Sequence, residues 1–278
     1  MTDRYAVFGN PIEHSRSPLI HAMFATQTNQ DMTYVARFAP VNAFAAELQA
    51  FIAQGGRGAN VTVPFKLEAY ALATQLSSRA RTAGAVNTLS FNGREIYGDN
   101  TDGVGLVRDL LLNHQVRLAG RRVLLLGAGG AARGVLQPLL DEHPALLVIA
   151  NRSEKKARLL VAEIASSTPK VVAVDLSALA AGNFDLIINA TSAGLGEVGT
   201  SPLCDISPAP TGEFAYDMMY GRETEFMAQA RARGMRVADG LGMLIEQAAE
   251  AFYLWRGVRP DTGPVLTTLR SELDHQGS

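Results

Sequence analysis

Along the first hundred residues the hydrophobic positions switch repeatedly between a period of two and a period near 3.6, the signature of alternating strands and helices. The run RYAVFG (4–9) reads as a short strand. PLIHAMFATQT (18–28) reads as a helix with Leu19, Ile20, Met23 and Phe24 on one face. TYVARF (33–38) alternates as a strand, and AFAAELQAFIAQGG (43–56) is a helix stopped by Gly55 and Gly56. GANVTVPF (58–65) is a strand ended by Pro64, and KLEAYALATQ (66–75) a helix. AVNTLSFNGREIYG (85–98) reads as a hairpin, with Asn92-Gly93 as a type I′ turn. TDGVGLVRDLLLNH (101–114) follows as a helix that Thr101 or Asp102 is placed to cap.

A second series opens at RRVLLLGAGGAARGVLQPLL (121–140): strand, glycine turn, helix, with Pro138 expected to kink or end that helix. Strands follow at ALLVIA, KVVAV, DLIINA, EFAYDM and MRVAD. NATSAGLGEVGTSPL (189–203) is rich in small residues and reads as a surface loop. GLGMLIEQAAEAFYLWRG (240–257) is a strong amphipathic helix, and a last helix lies near PVLTTLRSELDH. This order predicts an α/β fold of two domains, mainly parallel sheets with helices on both faces, the second domain Rossmann-like, and a ligand cleft between the two.

Composition narrows the functional classes. The chain has 278 residues, 47% apolar and 19% charged, a globular balance long enough for two ordinary domains. A net charge of −2 supplies no general basic field for nucleic acid or anionic membrane. No apolar run approaches the roughly 20 residues needed to span a bilayer. The opening residues lack the basic and apolar regions of a secretory signal. A single cysteine, Cys204, excludes an intramolecular disulfide and fits a reducing, cytoplasmic compartment. The five histidines are scattered, so no metal site is expected. Oligomeric state stays open between monomer and homodimer.

The candidate chemistry sits at strand ends. Gly127, Ala128, Gly129, Gly130, Ala131 and Ala132 match G-x-G-x-x-A between an apolar strand and a helix. The first glycine permits the tight turn, the second lets backbone approach a pyrophosphate, and the small sixth residue permits close helix packing. The next strand ends at Asn151-Arg152-Ser153 with Lys156 beyond. An Asp or Glu at that tip reads the ribose hydroxyls of NAD; Arg152, Ser153 and Lys156 suit a 2′-phosphate and favour NADP. The plainer reading is a solvated helix start capped by Asn151 or Ser153. In the first domain, GNPIEHSRSP (9–18) holds Ser15 and Ser17 before Pro18. Ser17 then Pro18 is a good helix start, and two hydroxyls at the positive helix end also suit an anion. Asn60, Thr62 and Lys66 flank Pro64, Asn87 lies in AGAVNT, and Asp102 follows Thr101. Lys66 and Asp102 either face one ligand together or are a solvated lysine and a helix cap.

Eight segments, GNPIEHSRSP, GANVTVPFK, AGAVNTL, GDNTDG, GAGGAARG, NATSAG, YDMMY and DGLGMLIEQAA, together resemble the shikimate/quinate dehydrogenase family, in the family's order and over nearly the whole chain. The resemblance implies reversible, NADP-dependent reduction of 3-dehydroshikimate to shikimate, a step of chorismate and aromatic amino acid biosynthesis. It implies a substrate domain of residues 1–102 plus 241–278 and an NADP domain of residues 103–240. By the same resemblance Ser15 and Ser17 contact the substrate carboxylate, with Tyr220 nearby. Thr62, Asn87 and Asp102 contact ring hydroxyls, Lys66 is the catalytic lysine with Asp102 its partner, and Gln247 returns to the substrate. The cofactor set is the glycine loop, Asn151, Arg152, Ser153, Lys156, Met218, Gly240 and Met243. Ser153 and Lys156 stand where relatives often have Thr and Arg. A broader quinate/shikimate dehydrogenase that also accepts NAD is the alternative within the family. An inactive NADP-binding sensor is the alternative outside it, and retention of both Lys66 and Asp102 weighs against that.

Overall fold

A computed structural model describes residues 2–162, 170–179, 182–191, 201–206 and 209–276. The chain forms two compact units. The first comprises Met1–Gly105 and Leu244–Glu272, the second Leu106–Met243 and the residues from Leu273 onward.

The first unit opens with β1 (Asp3–Gly9), α1 (Ser17–Gln27), β2 (Met32–Phe38), α2 (Phe44–Ala53) and β3 (Gly56–Val61). It continues with α3 (Lys66–Leu72), β4 (Gln75–Leu76), α4 (Ser78–Ala83), β5 (Thr88–Asn92) and β6 (Glu95–Asp99). The strand order is β2-β1-β3-β5-β6-β4. β1 pairs parallel with β2 and β3, whereas β5 pairs antiparallel with β3 and β6. The sheet is therefore mixed: β5 runs against both neighbours, joined to β6 by a tight hairpin turn. In that turn Asn92 pairs with Glu95, so Gly93 and Arg94 are its central residues. Only Gly93, at φ +60°, has a positive φ, the pattern of a type II′ turn rather than the expected I′.

Phe8, Phe44, Phe51 and Phe65 form the aromatic centre of the first unit's core, with Leu48, Val61 and Leu89 around them. On α1 the buried face is Ser17, Ile20, His21, Phe24 and Ala25, not the expected stripe, and Leu19 is exposed. The cap expectation is also corrected. Arg16 occupies the N-cap position, Ser17 is the first helical residue, and the Ser15 hydroxyl accepts from the Ser17 amide at 3.3 Å. Toward the C-terminus, α9 (Leu241–Arg256) and α10 (Gly263–Gln276) lie largely in the first unit, with Phe252 against Phe24 and His21.

The second unit takes over within α5 (Asp102–Arg108), which ends in a π-helical turn, Asp109–Asn113. There follow β7 (Arg122–Leu126), α6 (Gly130–Asp141), β8 (Leu146–Asn151), α7 (Glu154–Ala162), β9 (Lys170–Asp175), β10 (Asn183–Asn189), β11 (Thr211–Asp217), α8 (Glu225–Ala232) and β12 (Arg236–Ala238). The order β9-β8-β7-β10-β11-β12, with every pairing parallel, is the doubly wound 3-2-1-4-5-6 arrangement of a Rossmann fold. Both sheet faces are covered by apolar clusters, as an all-parallel sheet requires. Pro138 does not end α6, which runs three residues beyond it. The small-residue segment expected as a loop lies outside the described residues over 192–200.

Among the described residues no helix is long and apolar enough to cross a membrane.

His21 is fully buried, stacked on Tyr34 at 4.1 Å, and neither ring nitrogen has a hydrogen-bond partner among the described residues. Burial disfavours its charged form and holds its pKa down at about 3; the nearby Asn60 amide opposes this weakly without bonding the ring. The unfolded chain takes up this proton near the ordinary histidine pKa, about 6.5, so stability present above that pH is lost as pH falls toward 3, at about 1.4 kcal/mol per pH unit. His21→Phe should remove this dependence. Urea midpoints at pH 7 and pH 5 should show wild type losing about 2 kcal/mol more than the variant. Equal losses in both proteins would mean that the ring is not held neutral by burial.

Candidate active site

The first unit gathers its polar residues beyond the carboxyl ends of β1, β3 and β6 and at the start of β5. Lys66 is the first residue of α3 and Asp102 the first of α5. Their side chains meet, Lys66 Nζ lying 2.6 Å from Asp102 Oδ2, with both groups still partly open to solvent. The two side chains therefore form an ion pair, with Asp102 also at the start of a helix. The ammonium uses one of its three donors on Asp102, which leaves two for a ligand oxygen.

Asn87, buried and just before β5, holds the other side of this pair. Its Nδ2 donates to Asp102 Oδ1 at 2.7 Å and Thr101 Oγ1 at 3.0 Å, and lies 3.4 Å from Gln247 Oε1. Its Oδ1 accepts from the Thr101 amide and the Thr88 hydroxyl, both at 2.9 Å. Gln247 reaches the cluster from α9; its Oε1 also accepts from Thr101 Oγ1 at 3.3 Å, and its Nε2 donates to the Leu244 carbonyl. Behind Asn87 stands Asn60, whose Nδ2 donates to the Asn87 carbonyl and to Thr88 Oγ1, and whose Oδ1 accepts from the Tyr34 hydroxyl at 2.7 Å. Burial pushes the Tyr34 phenol well above its ordinary pKa, so it remains the donor. Tyr34 and Thr88 were not legible as site residues, because each sits in an alternating strand run that looks structural.

Thr62 follows β3, its amide bonded to the Phe8 carbonyl, and packs against Gly9: a β-carbon there would lie 2.5 Å from the Thr62 methyl. Ser15 and Ser17 precede and begin α1. Tyr220 lies in the second unit after β11, half-buried.

In the second unit all six strands run parallel, so their carboxyl ends share one edge, and the strand order reverses between β7 and β10. That is where open α/β sheets bind ligands. Gly127 turns there at φ +106°, close to the Ala190 carbonyl at the end of β10. Ala128 is half-buried, and Gly129, Gly130 and Ala131 are exposed. A β-carbon at Gly129 or Gly130 would meet nothing within 4 Å, and no side chain caps α6. The first-turn amides of α6 are thus left beside open space, a fitting cradle for a dinucleotide pyrophosphate. At the tip of β8 the Asn151 amide donates to the Ser153 carbonyl, while Arg152, Ser153 and Lys156 are exposed. Glu154 pairs with Arg158.

Met218 follows β11, and Gly240 precedes α9. The two backbones approach so closely that a β-carbon on Gly240 would lie 2.4 Å from the Met218 carbonyl oxygen. Met243 is buried in the first turn of α9. Buried Asp217 and Asn189, which the sequence reading did not single out, brace this edge. Asp217 accepts from Asn189, Thr224 and the Met219 amide. Burial nevertheless raises its pKa. Among the described residues, no group of three or more side chains is placed to hold a metal ion.

Three family descriptions match in succession. Residues 7–89 match the shikimate dehydrogenase substrate-binding domain, 110–217 the shikimate/quinate 5-dehydrogenase domain, and 240–270 the shikimate 5′-dehydrogenase C-terminal domain. A shikimate dehydrogenase (NADP(+)) from Methylobacillus flagellatus is 57% identical, covering 97% of this chain and 99% of that relative. The chain belongs to the shikimate dehydrogenase family. Another family relative, from Chromohalobacter salexigens, is 59% identical over 98% of this chain and 99% of its own length. Among solved structures, an Ael1 enzyme from Pseudomonas putida is similar with a TM-score of 0.89 at 45% identity, covering 96% of this chain and 98% of that one. The shikimate 5-dehydrogenase from Thermus thermophilus, solved with NADP(H) and shikimate, is similar with a TM-score of 0.82 at 32% identity, covering 97% and 99%.

Proposed function

We propose that this protein catalyses the reversible NADP-dependent interconversion of 3-dehydroshikimate and shikimate, as its family relatives are named for doing. The observation that carries the reading is the Lys66–Asp102 pair at 2.6 Å, held by the Asn87 amide, which Gln247 meets from α9. A sensor needs a dinucleotide site but no such pair.

Substrate fits the first unit by chemistry. Ser15 and Ser17, at the positive end of α1, suit its carboxylate. Thr62, Asn87, Asp102 and Gln247 supply the mixed donors and acceptors that ring hydroxyls need. NADP fits the second unit: the α6 amides at the glycine turn would hold the pyrophosphate, and Arg152, Ser153 and Lys156 would hold the 2′-phosphate. Met218, Gly240 and Met243 complete the binding edge. The bound nicotinamide supplies hydride chemistry.

The chain's own residues handle the proton. When the carbonyl is reduced, its oxygen becomes an alkoxide and needs a proton. Lys66 Nζ donates it, and in the reverse direction takes it back. Asp102 holds the amine in place and, through its other oxygen, stays locked to Asn87. The positive amine also stabilises the charge that develops on the oxygen before the proton arrives.

Replacing Lys66 by Ala should lower kcat about 10²–10⁴-fold, the usual weight of one general acid–base, with a smaller change in KM for shikimate. A kcat near wild type would remove Lys66 from proton transfer. Arg152→Ala should raise KM for NADP about tenfold or more, as expected for one charge-assisted phosphate contact, while activity with NAD moves less than about twofold. An equal loss with both nucleotides would argue against reading of the 2′-phosphate.

A further inference from the structure

Arg79 lies on α4, in none of the segments that mark the family. Its Nε and Nη2 grip Asp99 in a two-pronged contact, at 2.6 Å to Oδ1 and 2.8 Å to Oδ2. Nη2 also reaches Glu250 Oε1 at 3.0 Å. Both carboxylates are buried, Asp99 at 2% and Glu250 at 8% exposure. Asp99 also accepts from the Ser77 hydroxyl and the Asn100 amide, and Arg259 bonds the other oxygen of Glu250.

What the bridge joins makes it more than a fold contact. Asp99 ends β6, three residues before Asp102. Glu250 lies three residues after Gln247 on α9, on the same helix face. Arg79 therefore ties the strand end that carries the Lys66 partner to the helix that brings Gln247 back. The Gln247 contacts with Asn87 and Thr101 are long, 3.4 and 3.3 Å, so a shift of a few tenths of an ångström separates them. Two buried carboxylates facing each other repel without the guanidinium, and a lysine offers a point charge that cannot grip one carboxylate in two prongs and bridge to the other.

We propose that Arg79 is a positioning residue for the reaction: by bridging Asp99 and Glu250 it sets the spacing between Asp102 and Gln247, and with it the fit of the site to the substrate's ring hydroxyls. The proposal rests on the functional reading above. It predicts damage confined to one substrate.

The test is steady-state kinetics with shikimate and NADP on the full chain, well below the melting temperature of each variant. Arg79→Lys should raise KM for shikimate about tenfold and leave KM for NADP within about twofold. In a Gln247→Ala background the same change should cost less than about threefold, because both variants remove one unit of function. Glu250→Gln, which keeps size and loses charge, should shift KM for shikimate in the same direction by about threefold, and it serves the same cycle if Arg79→Lys does not fold. A variant with wild-type kcat/KM for shikimate overturns the proposal, as do losses that multiply independently across the cycle, the mark of a purely structural bridge. A wild type that does not turn over shikimate overturns the functional reading, and this proposal with it.

Discussion

One buried amide organises the first unit. Asn87 has two N–H donors, and three acceptors lie within reach of them: Asp102, Thr101 and Gln247. A buried polar group left unmatched costs about 1–3 kcal/mol, so this side chain draws its partners to fixed places. They come from distant parts of the chain, the start of α5 and the middle of α9. Asn60, Thr88 and Tyr34 lock the amide from behind. Lys66 then meets an Asp102 whose other oxygen is already committed. The geometry of the Lys66–Asp102 pair is in this sense a consequence of satisfying one amide.

The second unit follows a different rule. Its parallel sheet puts all strand ends on one edge, and its site is built mainly from backbone. Gly127 turns where a side chain is disfavoured, α6 presents uncapped amides, and the Gly240 backbone lies against Met218. Side-chain chemistry enters mostly at exposed Arg152, Ser153 and Lys156, the residues proposed to select the nucleotide. One unit thus relies on a polar network and the other on close backbone approach.

Much of this was legible in the sequence, for reasons that can be named. Periodicity located every described strand but β4, and the helices other than α4, α7 and α8; a glycine turn between an apolar strand and a helix carries its own mechanism. Lys66, Asn87 and Asp102 were visible as polar residues at strand ends, but their pairing was not, since no spacing rule relates positions brought together by a mixed sheet. The supporting shell was hidden for the same reason: Tyr34, Thr88, Arg79 and Glu250 look like ordinary strand and helix residues until the fold assembles them. Local details failed where neighbouring solutions differ little in energy. The hairpin moved by one residue to put Gly93 at the first turn position, and the α1 cap moved from Ser17 to Arg16. His21 took the buried place expected of Leu19 because aromatic neighbours on β2 and α9 stack against it.

Turnover decides whether this arrangement works as an NADP-dependent shikimate dehydrogenase. Purified protein is mixed with shikimate and NADP, and the absorbance of reduced nicotinamide is followed, with quinate and NAD as matched controls. Reduction should be rapid with shikimate and NADP and much slower when either is replaced. Absence of reduction while NADP still binds would contradict that activity in favour of a sensor, and equal rates with NAD would contradict the role given to Arg152.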